Sequence, residues 1–371
     1  MGLDEAIQRV RADAYTIPTD FPEADGTASW TTTTIVVVHA EAGGRRGVGY
    51  TYSHPSIVAL IAQTLAKVAI GSDAMDPPAV WRKMQVAVRN LGREGLAATA
   101  ISAVDTALWD LKAVLLERPL ASVLGRYREA VPIYGSGGFT SYDDERLAHQ
   151  LSRWVETEEC RWVKMKIGSD PERDPARVAV ARRAIGSAGL FVDANGAYGA
   201  KEAIHLAEIF AGKQNVQWFE EPVSSDDLEG LRLVRDKAPP VIEIAAGEYG
   251  YSLDYFRRML EAGAVDVQQA DATRCGGVTG FLQVAALCEA FHTDLSAHCA
   301  PALHCHLGCA APRFRHLEWF HDHVRIEHML FDGAPVPRGG NVAPDPSRPG
   351  LGLTLKRKEA ERFAVGLRAA A

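Results

Sequence analysis

A (β/α)8-type barrel preceded by an α+β domain, an α/β fold overall, is what this sequence predicts. Three observations predict it. From about residue 130, short apolar strand runs alternate with amphipathic helical stretches through eight beats, which is the rhythm of a barrel. Before that point strands come first and helices follow as a group, the mark of an α+β unit. Nearly every barrel strand from the second onward also ends in an ionisable residue. A doubly wound open sheet would alternate as well, but no Gly-rich phosphate loop follows any early strand.

The elements follow in order. Residues 19–27, holding Asp20, Phe21, Glu23 and Asp25, read as a loop. Residues 31–39 (TTTTIVVVH) form a β-branched run; a turn-rich break at 41–47 and a second strand at 48–52 make a hairpin. Helical patterns follow at 56–70, 79–90 and 97–116. The last carries Ile101, Val104, Ala107, Leu108, Leu111 and Leu115 at helical spacing, and the domain ends near Gly125. Barrel strands are expected at 131–134, 162–167, 190–192, 216–219, 242–246, 265–269, 294–297 and 316–319. Helices between them include 174–185, 201–211, 252–262 and 278–291. Beyond Phe331 a loop rich in Pro, Gly and Asp leads to a strand at 351–355 and a helix at 358–370, a tail that packs back on the first domain. The resulting division is 1–125, 126–335 and 336–371.

Composition narrows the function classes. The 371 residues include 40 Lys plus Arg and 47 Asp plus Glu, a formal charge of −7, with 47% apolar and 23% charged residues. That is an ordinary globular balance able to bury a large core, so disorder is excluded as the main state. No run approaches the ~18 apolar residues of a membrane span, and the start, Met1 to Glu5, lacks a basic and apolar leader. The mild acidity gives no reason to expect nucleic-acid or anionic-membrane partners. A cytoplasmic protein acting on a small molecule is the expectation. Of six cysteines, Cys299, Cys305 and Cys309 crowd beside His298, His304 and His306, which superficially suggests zinc. No C-x-x-C pair occurs, and residues 303–311 read as a helix, so these are expected to be packing thiols in a reducing compartment.

The strand ends carry the chemistry. In order they are Lys164 and Lys166, Asp193, Glu220, Glu248, Asp271, His298 and Glu318, in steps from Lys166 of 27, 27, 28, 23, 27 and 20 residues. Each occupies the same phase of its βα unit, and in a barrel that phase is the rim where strand ends converge on one pocket. Asp193, Glu220 and Glu248 would repel one another without a cation. As hard oxygen donors they suit Mg2+, with Mn2+ able to substitute and Ca2+ less suited. Lys164 and Lys166, two apart, share one strand face, where each ammonium can depress its neighbour's pKa and supply a general base. Asp271 can orient His298 as a second acid/base. The cluster His316, His321, His323 and His328 has no assignable role and is expected to be a solvated or ion-paired rim.

The ordered pattern Lys164-Met165-Lys166, Asp193-Ala194-Asn195, Trp218-Phe219-Glu220-Glu221-Pro222, Gly247-Glu248, Asp271, Gly276-Gly277-Val278-Thr279-Gly280, His298 and Glu318 resembles the enolase superfamily, in particular its mandelate racemase subgroup. Ala107-Leu108-Trp109-Asp110-Leu111-Lys112, Pro119-Leu120 and Leu124-Gly125 look like that subgroup's capping-domain helix, so the resemblance spans essentially the whole chain. It implies a modified TIM barrel, (β/α)7β, under an α+β capping domain built from the N-terminal region and the C-terminal tail. It also implies abstraction of the proton α to a carboxylate through an enediolate. By position it makes Asp193, Glu220 and Glu248 the ligands of one Mg2+ per subunit, with Glu221 less suited than Glu220. Lys166 becomes the base, Lys164 its helper at the substrate carboxylate, His298 held by Asp271 the opposing acid/base, and Glu318 a hydrogen-bonding partner of that carboxylate. Asn195, Arg274, Phe21, Tyr50 and Tyr52 are candidate substrate contacts, Tyr50 standing where an acid is common and Arg274 where Lys is frequent. Dehydration of an acid sugar to a 2-keto-3-deoxy acid is the expected outcome. Racemisation or epimerisation of a 2-hydroxy acid, and lactone cycloisomerisation, stay open. A non-catalytic small-molecule or zinc-binding relative would lack a ligand or base, and none is missing. A homo-oligomer, dimer to octamer, is the expected assembly.

Overall fold

A computed structural model describes residues 5–366. Three strands, β1 (Arg9–Ala24), β2 (Ser29–Ala42) and β3 (Arg45–Tyr52), form an antiparallel sheet in that order. The apolar run of β2 is buried on both faces: Ile35 and Val37 enter one core cluster, Val36 and Val38 the other. Helix Leu96–Leu115 lies against β3 so closely that a Cβ at Gly47 or Gly49 would run into the backbone of Ala103, Ala107 or Leu111. Glycine is what permits that approach.

Eight parallel strands follow: β4 (Val131–Gly137), β5 (Trp162–Lys166), β6 (Gly189–Asp193), β7 (Val216–Glu220), β8 (Glu243–Ala246), β9 (Val267–Ala270), β10 (Asp294–Ala297) and β11 (Phe314–Phe320). Each pairs with the next and β11 pairs with β4, so the barrel closes. Its lower interior is filled by Tyr134, Phe191, Trp218, Ala245 and Val267. The helix after β11, His321–Leu330, meets the capping sheet, where the Tyr50 hydroxyl donates to Glu327 Oε1 at 2.6 Å.

The tail serves both units. Asn341–Val342 adds an antiparallel strand to β4, Leu351 N donates to Asp110 Oδ1 at 2.5 Å, and Val365 N donates to Ala14 O at 2.9 Å. Further polar contacts lock the capping unit to the barrel. Thr51 Oγ1 donates to Thr273 O (2.7 Å), Trp81 Nε1 to Gly276 O (2.9 Å), and Thr279 Oγ1 to Asp105 Oδ1 (2.7 Å).

Three sequence expectations need correction. Residues 19–27 are not mainly a loop: β1 runs to Ala24, with a register shift between Pro18 and Glu23. Pro18 and Pro22 interrupt the strand signal, because proline cannot donate to a ladder. The expected helix at 358–370 is one turn, Arg357–Ala360, followed by a 3-10 turn, Glu361–Phe363; its end lies outside the described residues. Two members of the histidine cluster, His316 and His323, leave the expected solvated or ion-paired rim. His316 is buried among Tyr134, Phe191 and Trp218, and burial lowers its pKa to about 3. His323 is buried and stacked on Tyr52 at 3.4 Å. His321, 3.1 Å from Asp20, makes the expected rim pair, and His328 is exposed as expected.

Candidate active site

Strand register sets the side chains beside one another. Lys166 is paired with Asp193, and Asp193 with Glu220, across β5, β6 and β7. Asp193, Glu220 and Glu248 are buried, and each offers a carboxylate oxygen within 4.8 Å of the others. Lys164 Nζ lies 2.5 Å from Glu220 Oε1, 2.9 Å from Glu318 Oε1 and 3.2 Å from Asp193 Oδ2. Lys166 Nζ donates to Asp193 Oδ2 at 2.5 Å and to Asn195 Oδ1 at 3.0 Å. Trp218 Nε1 donates to Glu220 Oε2 at 3.0 Å. Glu248 Oε2 is buried and accepts no hydrogen bond.

Across the barrel, His298 Nδ1 lies 2.9 Å from Asp271 Oδ2, while the other Asp271 oxygen accepts from Thr273 N and Thr273 Oγ1, both at 2.7 Å. The imidazole is thereby fixed with Nε2 facing Glu248 Oε2 (3.4 Å) and Glu318 Oε2 (3.7 Å). Arg274 closes that side, its guanidinium donating to Glu248 O at 3.0 Å and lying 3.6 Å from Asp271 Oδ2.

The electrostatics follow from burial and pairing. Burial pushes both lysine pKa values down, but the carboxylates outweigh it. Glu220 and Glu318 raise that of Lys164, and Asp193 raises that of Lys166. The expected lowering of Lys166 by Lys164 is present, but it is overridden while Asp193 stands 2.5 Å away. Glu220 is pushed up by burial and by Asp193, whereas Lys166 and Lys164 overcome burial to hold Asp193 low. Burial lowers His298 but Glu248 and Glu318 raise it further. Asp271, despite burial, is held low by His298.

The substrate candidates separate. Asn195 and Glu221 border a cavity of about 570 Å3 that Thr27, Glu94, Tyr249 and Tyr255 also line. Phe21 is exposed, edge-on to Tyr142, with the Arg146 guanidinium 4.2 Å above its ring. Tyr50 is a correction: it is fully buried, donating to Glu327 and accepting from Leu303 N at 3.2 Å, so it supports the barrel from behind. Tyr52, stacked on His323, backs the Cys299–Ala300 turn, since Ala300 N donates to His323 Nδ1 at 3.3 Å. Sequence reasoning missed Ser136, whose hydroxyl donates to Glu318 Oε1 at 2.6 Å. It is the register partner of Lys164, so the strand-end phase pointed to it. Of the three cysteines expected to be packing thiols, Cys299 instead turns its sulfur to His298 Nε2 at 3.2 Å; Cys305 and Cys309 do not join that group.

The donor set fits a hard divalent cation. It is all oxygen, its atoms converge, and the unpartnered Glu248 Oε2 is a buried acceptor of the kind such an ion satisfies.

Residues 10–125 match the mandelate racemase/muconate lactonizing enzyme N-terminal domain, and residues 146–360 the enolase C-terminal domain-like family. A mandelate racemase/muconate lactonizing enzyme-like protein of Rubrobacter xylanophilus is 53% identical, covering 97% of this chain and 100% of that one, with a TM-score of 0.95. The 3,6-anhydro-α-L-galactonate cycloisomerase of Streptomyces coelicolor is 34% identical, over 97% of this chain and 100% of its own length. The L-talarate dehydratase of Polaromonas, solved with Mg and L-glucarate, is 33% identical over 97% of each chain, with a TM-score of 0.88. With its closed barrel, three convergent acids and facing Lys and His strands, this chain belongs to the mandelate racemase/muconate lactonizing enzyme family of the enolase superfamily.

Proposed function

We propose that the chain removes the proton α to the carboxylate of an acid sugar and expels the β-hydroxyl, giving a 2-keto-3-deoxy acid. The observation that carries this reading is the pair of proton-transfer groups on opposite sides of the three acids. Lys166 stands on β5 and His298 beyond β10, with four strands between them one way round and two the other.

Asp193, Glu220 and Glu248 would hold Mg2+, with Mn2+ a substitute, and the ion would supply fixed positive charge against the negative charge that develops on the substrate. Lys166 takes the α-proton, and Asn195 orients its amine. Lys164 stabilises the substrate carboxylate. Glu318 is kept ionised by Lys164 in the substrate-free site despite its burial, so it accepts hydrogen bonds there. An anionic substrate arriving beside it raises its proton affinity, and with a proton taken up from solvent it donates to the substrate carboxylate. His298, held by Asp271, protonates the leaving hydroxyl. Arg274, Asn195 and Phe21 contribute to substrate selection.

The 34% identity to a cycloisomerase over its full length favours one second reading. After the same proton abstraction, an isomerisation would leave the product mass unchanged. A panel of acid sugars with Mg2+ in D2O separates them. Deuterium uptake apart, dehydration gives a semicarbazide-reactive product one water lighter, and isomerisation gives equal mass. Absence of both Cα–H exchange and product across the panel sinks the reading. Exchange that persists in both Lys166→Ala and His298→Asn overturns the assignment of the two residues.

The same reading takes 1–125 as a capping unit, 126–335 as the catalytic barrel and 336–371 as a tail completing the cap. Exposed Val86, Leu91 and Leu96, close in sequence, support a homo-oligomer, which sedimentation would measure. Six buried free thiols support a cytoplasmic setting, which cell fractionation would check.

A further inference from the structure

Next to the three acids lies a set of donors of different chemistry. His298, Cys299 and Glu318, all buried, bring an imidazole nitrogen, a sulfur and a carboxylate oxygen within reach of a single ion. Cys299 Sγ is 3.2 Å from His298 Nε2 and 3.4 Å from Glu318 Oε2, and Nε2 is 3.7 Å from that oxygen. A tetrahedral ion with bonds of ~2.3 Å to sulfur and ~2.0–2.2 Å to nitrogen and oxygen spaces such donors about 3.4–3.6 Å apart. The triangle is already close to one face of that tetrahedron.

Hydrogen bonds alone would hold the three atoms near one another. The outer atom of each donor adds a further constraint. His298 Nδ1 is engaged by Asp271, which turns Nε2 toward the thiol at 3.2 Å, with Glu248 Oε2 3.4 Å away on its other flank; an outer carboxylate of this kind orients zinc-binding histidines. Glu318 Oε1 is engaged by Ser136 and Lys164, which leaves Oε2 facing the thiol. Cys299 and Ala300 take φ of 54° and 42°, a left-handed conformation uncommon for non-glycine residues. That turn sends the Cys299 N–H to Glu318 Oε2 at 3.0 Å and brings its thiol between the other two donors. Mg2+ prefers an octahedron of oxygens, whereas sulfur and imidazole favour zinc-like ions.

We propose that His298, Cys299 and Glu318 form a second cation site, chemically distinct from the three-acid centre, which takes a borderline-soft divalent ion of the zinc and cadmium class. Binding exchanges a proton for the metal: the Sγ–H bond breaks, an Sγ–metal bond forms, and the proton leaves to solvent with no change of oxidation state. An ion there occupies His298 Nε2 and Glu318 Oε2, so it inhibits the reaction proposed above. The site itself rests on donor geometry and not on that reaction.

Cd2+ titration of the full chain in excess Mg2+ tests it through the ultraviolet thiolate-to-metal charge-transfer band. The expected result is a band saturating at one equivalent in the wild type and in Cys305→Ser, and lost in Cys299→Ser. No band in the wild type, or an undiminished band in Cys299→Ser, overturns the proposal. Should Cys299→Ser not fold, wild-type crystals soaked in Zn2+ with Mg2+ present decide it. An anomalous peak bonded to Sγ, Nε2 and Oε2 supports the site; a peak only at the three acids, or none, overturns it. Both readouts follow the metal and not turnover, so their failure is distinguishable from failure of the dehydration reading.

Discussion

Lys166 and His298 are held ready in different ways, and substitutions should separate them. Lys166 is a base only once the pull of Asp193 is shared with a cation, whereas His298 is already oriented by Asp271. Lys166→Ala should lose both Cα–H exchange and keto product, by about 10²–10⁴-fold, the usual worth of a positioned base. His298→Asn should lose product to a similar degree while exchange by Lys166 continues, which NMR in D2O would follow. Glu23 offers a test unrelated to turnover. It is fully buried; Oε2 accepts from Trp30 Nε1 at 2.8 Å, Oε1 has no partner, and burial followed by Asp322 raises its pKa to about 8. The folded state therefore keeps a proton that the unfolded chain releases near its ordinary value. Stability from this group is complete below the unfolded pKa and lost as pH rises through about 8. Between about pH 6 and pH 8 that loss is about 2 kcal/mol. Glu23→Gln should remove it, so thermal unfolding should show the variant gaining on the wild type as pH rises.

The β1–β2 hairpin shows how an element reaches the site. Asp25 Oδ1 accepts from Thr27 N at 2.6 Å and Ala28 N at 2.7 Å, fixing the turn, and Thr140 Oγ1 donates to Asp25 O at 2.8 Å. A Cβ at Gly26 would run into the carbonyl oxygens of Ala194 and Ile167, at the ends of β6 and β5. Gly26→Val should lift the hairpin tip from the barrel mouth. A displacement of about 1 Å can cost about 10²-fold, so KM should rise steeply while the unfolding temperature moves little, since the tip lies outside both cores. The barrel strands were legible because each is a short run rich in apolar residues, nearly every one from the second onward closed by an ionisable residue, and a closed parallel sheet buries both faces. The hairpin strand β1 was not legible, because Pro18 and Pro22 break its alternation and its register shifts there. His316 could have been read: strand side chains alternate, so Glu318 facing the pocket implies that His316 also faces inward. Tyr50 could not, because its partner Glu327 lies 277 residues away on a helix that no local pattern links to β3. The strand-end phase located the acids, lysines and histidine, but which oxygens meet depends on register and rotamers set by the closed barrel.

At the scale of the whole molecule, one buried charge cluster couples metal binding to the stability of a two-part structure. Three acids and two lysines converge from β5 to β8, and Glu318 on β11 joins them through Lys164. β11 in turn leads into helix His321–Leu330, which carries the Tyr50 contact to the capping sheet. Lys164 and Lys166 pair with Asp193 and Glu220, but Glu248 Oε2 accepts no hydrogen bond and has His298 Nε2 3.4 Å away. A divalent ion removes that deficit in the folded chain alone, because the unfolded chain has no converged site. Saturation at about 100 times Kd should therefore add about 2.7 kcal/mol, a rise of a few degrees in unfolding temperature for a chain of this size. Differential scanning calorimetry with and without Mg2+ should show that rise in the wild type and its loss in Glu248→Gln. If the shift survives in Glu248→Gln, the ion is stabilising the protein from somewhere other than the three-acid centre. Calorimetry at equal ionic strength without a divalent ion excludes general screening, since surface pairs respond to salt and the buried cluster does not.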